Sequence, residues 1–173
     1  MNCAFCGKNG FVNKKRFPNQ FIEESNHCIV ILDRTQLSRG HTLVILNKHR
    51  INITDQKLTE EERKDFIDTI YYYAKFLKNN IKDNAGNKPK RIYVGYLGDG
   101  EKHLHAHLIP RYPFNKSDNN FYKCFFQSSE KTQGGFWYVA LRERNYQKSE
   151  FFQKTKKEKN TEYKKIIKLL KNG

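Results

Sequence analysis

A chain of 173 residues with 37% hydrophobic and 14% aromatic side chains has enough apolar material for one domain with a real core. Four cysteines, two of them in a metal-like pair, do not read as a disulfide framework, and no apolar run approaches membrane-spanning length. Secreted disulfide scaffolds and membrane spans are thereby excluded, and the expectation is a soluble intracellular protein, cytoplasmic, or nuclear in a eukaryote. The formal charge of +15 attracts polyanions, although a Lys-, Asn-, Ile- and Tyr-rich residue usage explains it equally well.

The chain opens with MNCAFC. Cys3 and Cys6 carry the two-residue spacer that lets both thiolates reach one metal, and zinc takes four such ligands in a tetrahedron. A redox CxxC is the competing reading, but that motif follows a strand and opens a helix. Two histidines from elsewhere must complete a zinc site, and His49 and His103 are the candidates.

Two strands are predicted next, around Phe21 to Glu24 and from His27 to Leu32, separated by the turn-like Ser25-Asn26. The second run, HCIVIL, is apolar enough for a central strand, with Cys28 as an inert buried thiol, and it ends at Asp33. Gly40-His41 then opens HTLVIL, a strand expected to pair antiparallel with it. From Thr59 to about Asp83 a long helix is signalled: Thr59 and Glu62 form a capping box, and Phe66, Ile70, Tyr73, Ala74, Leu77 and Ile81 make one apolar stripe. Tyr71 and Tyr72 fall outside it. After the polar NAGNKPK connection, RIYVGYL reads as a strand, GDGEK as a tight turn, and HLHAHLIPR as its hairpin partner.

In that last segment His103, His105 and His107 occupy alternate positions, so an extended strand puts all three imidazoles on one face and Leu104, Ala106 and Leu108 on the other. The chain has six histidines and half of them fall within five residues. Imidazole is the side chain able to serve as nucleophile, acid, base or ligand near neutrality.

HLHAHLI, with CAFC near the start, ILDRTQLSRGHTLVILNKH in the middle and GGFWYVALRERNY after it, resembles the histidine triad (HIT) superfamily, and in particular its zinc-containing bacterial-type branch. The resemblance covers roughly residues 3 to 146. It implies a HIT-like α+β fold, with an antiparallel sheet, one long helix packed on it and a short C-terminal helical extension. It also implies a nucleotide-binding domain over residues 1–146 with an N-terminal zinc knuckle, a basic extension over 147–173, and a homodimer. His105 is then the nucleophile attacking the α-phosphate of a nucleotide, and His107 contacts the phosphate or protonates the leaving group. His41 lines the phosphate pocket, Asp33 holds the ribose hydroxyls, and Cys3, Cys6, His49 and His103 hold a structural zinc. The chain departs from the family in a shorter loop before the triad, with Gly100-Glu101-Lys102 in place of the usual phosphate contacts. Lys102 is the substitute phosphate ligand.

The implied activity is nucleotide hydrolysis or nucleotidyl transfer on a dinucleoside polyphosphate, nucleoside phosphoramidate or adenylated compound. Two alternatives stand beside it: processing of adenylated nucleic-acid ends in the manner of aprataxin, and non-catalytic nucleotide binding. The segment from Gln147 to Gly173 carries nine Lys against three Glu. From Thr161 it reads as a short amphipathic helix that docks on its own domain, a partner or an anionic surface. Before it, Cys124 is expected to pack as a small hydrophobe, and Trp137 and Tyr138 to cover the pocket or a subunit contact.

Overall fold

The computed structural model describes residues 3–34, 36, 38–96, 100–112 and 155–171. The FYKCFF run with Cys124, Gly98, and Trp137 with Tyr138 lie outside the described residues. Five strands, β1 (Phe21–Glu24), β2 (Cys28–Leu32), β3 (Thr42–Leu46), β4 (Arg91–Gly95) and β5 (His105–Arg111), form one antiparallel sheet in the order β1-β2-β3-β5-β4. The helix α1 (Glu60–Asn80) crosses one face, and a second helix, α2 (Lys156–Lys171), packs beside it.

Register decides which side chains share a face, because directly opposed residues point the same way. Ile31 opposes Leu43 and Ile29 opposes Ile45, while Leu43 opposes His107 and Ile45 opposes His105. One face therefore carries Ile29, Ile31, Leu43, Ile45, His105 and His107. The other carries Val30, Val44, Ala106 and Leu108, and onto it pack Phe66, Ile70, Tyr73, Phe76 and Leu77 of α1, Ile81 just beyond its end, and Tyr163, Ile166 and Leu170 of α2. The imidazole face is covered by the N-terminal segment through Phe5, Val12 and Phe17.

The start of α1 follows its sequence signal: the Glu62 N–H donates to Thr59 Oγ1 (3.2 Å) and the Thr59 N–H to Glu62 Oε2 (3.1 Å). Tyr71 and Tyr72 are exposed, as their place off the stripe predicts. The helix stops at Asn80, short of Asp83, because Ile81 turns extended and buries its side chain.

Three other expectations are corrected. The tight turn before the triad is a longer connection: β4 ends at Gly95 opposite His107, and β5 begins at His105. Strand pairing therefore starts two residues after His103, because the Leu104 N–H is taken by the Arg50 carbonyl at 2.6 Å. The C-terminal helix begins at Lys156 and not at Thr161, since Thr155 and Glu158 form a second reciprocal cap, Thr155 N–H to Glu158 Oε2 at 2.7 Å and Glu158 N–H to Thr155 Oγ1 at 3.3 Å. It docks on its own domain, where the Tyr163 hydroxyl donates to the Arg34 carbonyl (3.0 Å), while Leu169 faces out. No helix among the described residues is long and apolar enough to cross a membrane.

Candidate active site and metal centre

At the N-terminal edge of the imidazole face, four ligand groups converge. His103 Nδ1 lies 3.5 Å from Cys3 Sγ, 3.2 Å from Cys6 Sγ and 3.3 Å from His49 Nδ1, and Cys6 Sγ lies 3.5 Å from His49 Nδ1. Tetrahedral zinc with ordinary bond lengths separates sulfur from nitrogen by about 3.6 Å and nitrogen from nitrogen by about 3.3 Å. The donor set and its spacing fit that ion. The tautomer fits as well: His103 Nε2–H donates to the Leu46 carbonyl at 2.7 Å, which leaves Nδ1 as the lone-pair atom turned toward the cluster.

Burial makes this a poor place for these groups without a cation. It pushes the Cys6 thiol up to about 12, helped by the Cys3 sulfur beside it. The His103 ring is pushed down to about 4, chiefly by desolvation, although its bond to Leu46 works the other way. A dication reverses the balance for the thiols by favouring thiolate. The loop is held independently by Arg16, whose Nη1 donates to the carbonyls of Cys3 (2.8 Å) and Ala4 (2.9 Å).

The triad continues from this cluster along one side. The Phe5 ring packs edgewise on both His103 and His105, with centroids 5.5 and 5.0 Å away, and the rings of His105 and His107 are 5.0 Å apart. The Nδ1–H of His105 donates to the His103 carbonyl at 2.6 Å. A neutral imidazole holds one proton, so Nε2 of His105 is the ring atom with the lone pair. The cluster and the His105 ring are thus joined through one residue: the His103 ring belongs to the first and its carbonyl orients the second.

The far end of the site is built by the β2–β3 turn. His41 Nε2 is 3.0 Å from His107 Nδ1, and Asp33 Oδ2 lies 3.5 Å from the former and 3.6 Å from the latter. Asp33, expected beside a ribose, has this carboxylate oxygen turned toward the two imidazoles. Lys102 sits exposed in the bend just before His103.

Several residues that hold this arrangement escaped the sequence reading. Gln36 is buried, and its amide nitrogen donates to the carbonyls of Asp33 (2.8 Å) and His41 (2.7 Å) while its oxygen accepts from the Gly40 N–H (2.9 Å). In DRTQLSRG it looks like an ordinary polar turn residue. Arg50 makes a buried two-point ion pair with Glu62, 2.9 Å at each contact, and its carbonyl anchors Leu104 between two histidines of the triad. Phe5 between the cysteines carried no signal beyond being aromatic. Gly40 has φ +84°, and a Cβ there would stand 2.1 Å from Ile81 Cδ1, so only glycine lets this turn close on the end of α1 and deliver His41.

The chain is also similar to known proteins. The chain is 29% identical over 118 residues to the protein named hit of Bacillus subtilis, covering 64% of this chain and 72% of that one. It is 27% identical over 114 residues to the bis(5'-adenosyl)-triphosphatase of Saccharomyces cerevisiae, covering 65% of this chain and 53% of the yeast protein. The crystal structure of a HIT family member from Bacillus subtilis superposes with a TM-score of 0.51 at 21% identity, over 78% of this chain and all of that one, which shows the shared fold. A family model for the HIT domain matches residues 14–114, an interval that contains both halves of the imidazole site, and the chain belongs to the HIT domain family.

Proposed function

We propose that this protein is a nucleotide hydrolase or nucleotidyltransferase acting at the α-phosphorus of a nucleoside phosphate derivative: a dinucleoside polyphosphate, a phosphoramidate or an adenylated compound. The observation that carries the reading is the bond from His105 Nδ1–H to the His103 carbonyl, which leaves Nε2 of a rigid, buried ring to act as nucleophile. The 27% identity with the yeast bis(5'-adenosyl)-triphosphatase supports the substrate class.

In the first step the Nε2 lone pair forms a bond to phosphorus as the bond to the leaving group breaks, and the leaving group takes a proton from His107. In the second, water attacks phosphorus and gives its proton to His107 as the bond to the imidazole breaks, yielding a nucleoside monophosphate and restoring both His105 and His107. His41 and Lys102 offset charge developing on the phosphoryl oxygens, and Asp33 with His107 completes the nucleotide contacts. Cys3, Cys6, His49 and His103 would hold a zinc ion, whose contribution is to brace the N-terminal segment against the triad, since four protein ligands fill its coordination sphere. Membership of the zinc-containing bacterial-type branch, a homodimer, a cytoplasmic location and a functional division between residues 1–146 and 147–173 belong to the same proposal.

Turnover of a fluorogenic adenosine phosphoramidate, run beside His105→Ala, tests it. Loss of turnover together with a nucleotidyl adduct located on His105 by mass spectrometry is the expected result; equal turnover by both proteins removes the nucleophile. A nucleic-acid variant of the substrate is favoured by one observation: while Tyr163, Ile166 and Leu170 of α2 pack inward, Lys157, Lys164, Lys165, Lys168 and Lys171 are exposed. Salt-dependent retention of an oligonucleotide that disappears when these lysines become glutamine identifies that variant.

A further inference from the structure

We infer that the protein holds the phosphate backbone of a nucleic acid on a surface that folding assembles from two separate cationic segments: the helical turn Lys14–Arg16 with Arg34, and one flank of α2. The inference deepens the nucleic-acid variant above by locating its partner, and only the delivery of a strand end to the triad rests on the proposed reaction.

Helical spacing creates the flank. Lys157, Lys164, Lys168 and Lys171 follow one another at steps of seven, four and three residues, so their side chains line up along one side of α2 over about 21 Å. All four are exposed, while Tyr163, Ile166 and Leu170 occupy the buried side. The last of the row reaches the β1 edge of the sheet. There the Lys171 ammonium stands over the Phe21 ring, 5.9 Å from its centroid, and Lys14 of the N-terminal turn stands over the same ring at 5.9 Å. Arg34 ties the two segments together: its Nη2 donates to the Arg16 carbonyl at 2.6 Å, its guanidinium lies 5.5 Å from the Phe17 centroid, and its carbonyl accepts from the Tyr163 hydroxyl at 3.0 Å.

The acidic residues of β1 and α2 are already engaged, Glu24 with Lys14, Glu23 with the Tyr73 hydroxyl, Glu158 with Thr155, and Glu162, on the opposite flank of α2, with Arg39. Like charges gathered in this way repel one another, and a linear polyanion relieves the repulsion while releasing its own counterions. A duplex offers about one charge every 1.7 Å alongside the lysine row. A lipid surface fits less well, because the apolar side of α2 is packed into the domain and cannot enter a bilayer. Arg34 directly follows Asp33, whose carboxylate faces His41 and His107. Where the proposed chemistry holds, a strand laid on this surface brings its end to the triad.

Anisotropy titrations of the full chain carrying His105→Ala, with a fluorescein-labelled DNA duplex in about 50 to 200 mM salt, read binding without turnover. Affinity should fall steeply with salt. The slope of log K against log salt should become shallower by about 2 to 3 in the triple variant Lys164→Gln, Lys168→Gln, Lys171→Gln, and by about 1 to 2 in Lys14→Gln with Lys15→Gln. The control removes equal charge on the β4 side, from Lys75, which lines a cavity with Arg91 and Tyr93, and from Lys82 and Lys88 in the connection leading to β4. Changing these three to Gln should alter the slope by less than about 1. All eight side chains are exposed, so the fold is retained throughout. This pattern supports the surface whatever the turnover of the phosphoramidate. Absence of binding at the lowest salt, a control effect as large as that of the α2 triple variant, or an unaltered slope in Lys14→Gln with Lys15→Gln overturns it. Tighter retention on phosphatidylserine vesicles than on DNA also overturns it and assigns the surface to a membrane.

Discussion

The two faces of this sheet are closed by different physics. On the helix face, α1 and α2 lay a continuous apolar surface on Val30, Val44, Ala106 and Leu108, and burial alone is sufficient cement. On the imidazole face the cover is a short N-terminal segment offering Phe5, Val12 and Phe17, and the groups beneath it include His105 and His107. An apolar lid cannot satisfy such groups, so the segment is tied down by polar means: the Cys3, Cys6, His49 and His103 cluster, the Arg16 contacts to the Cys3 and Ala4 carbonyls, and three backbone bonds, from Val12 to Asn47, Asn13 to Phe5 and His49 to Gly10. The site lies where the chain gives up hydrophobic simplicity for ligand chemistry.

If that contrast is right, metal removal should damage one face only. A chelator strong enough to strip zinc, or Cys6→Ser, should raise amide exchange at Val12, Asn13 and His49 by at least about 10³-fold, equivalent to about 4 kcal/mol of local stability, with little change in the middle of α1. Uniform loss across both faces would mean that the lid and core are one cooperative unit. Acid should act on the same side. The His103 ring titrates at about 4 in the folded chain against 6.5 as a free group, so the unfolded state takes up the proton first. The stability carried by the neutral ring is therefore present above about pH 6.5 and lost as pH falls toward about 4. Denaturant titrations of metal-free protein across that window should show this slope, and His103→Gln should flatten it.

The next effect concerns the joint between the faces. Arg50 and Glu62 are almost fully buried, and Glu62 also caps α1 while the Arg50 carbonyl holds Leu104. Arg50→Met strands the carboxylate and should cost about 3–5 kcal/mol in chemical denaturation. Replacing both residues with apolar ones should restore most of that. The double variant should still bind the triad less accurately, seen as a fall in kcat with the fold retained. Recovery of kcat along with stability would show that the pair is only structural.

Gly40→Ala probes the contact from the opposite direction, since the turn that carries His41 leans on the end of α1. The added methyl must occupy a left-handed backbone position and displace Ile81. Together these should cost about 2–4 kcal/mol, and Ile81→Ala introduced alongside should relieve the steric part but not the backbone part. Perfect additivity of the two changes would argue that they do not touch in solution.

The helix face was far more legible in the sequence than the imidazole face, for reasons visible in these residues. Strand alternation, the α1 stripe and the Thr59-Glu62 box are local patterns with short periods, and each reappears in the structure within a few residues. The cluster ligands were legible because thiol and imidazole spacing is rare enough to signal by itself. Gln36, Arg50 and Phe5 were not, because their roles come from partners brought together by folding, and nothing in a polar turn or an isolated aromatic announces that. His103 shows the intermediate case. Its place on the ladder was readable, while the divergence of its backbone from the strand depends on the Arg50 carbonyl, a contact more than fifty residues away in the chain. The start of α2 was readable and overlooked: Thr155 and Glu158 have the same spacing as the box on α1.

Those two caps give the smallest and sharpest test, because they are chemically alike and differ only in surroundings. At Thr59 the partner carboxylate is buried and shared with Arg50, so removing the hydroxyl unpairs the Glu62 N–H at a packed helix end. Thr59→Ala should cost about 1–2 kcal/mol. At Thr155 the cap is exposed, and α2 stays docked through Tyr163, Ile166 and Leu170 further along. Thr155→Ala should therefore cost no more than about 0.5 kcal/mol and fray the first turn only, seen as faster exchange at Glu158 and Lys159 with an unchanged midpoint of unfolding. A larger loss at Thr155 than at Thr59 would reverse the order of importance of the two helices and make α2 a principal support of the sheet beneath the triad.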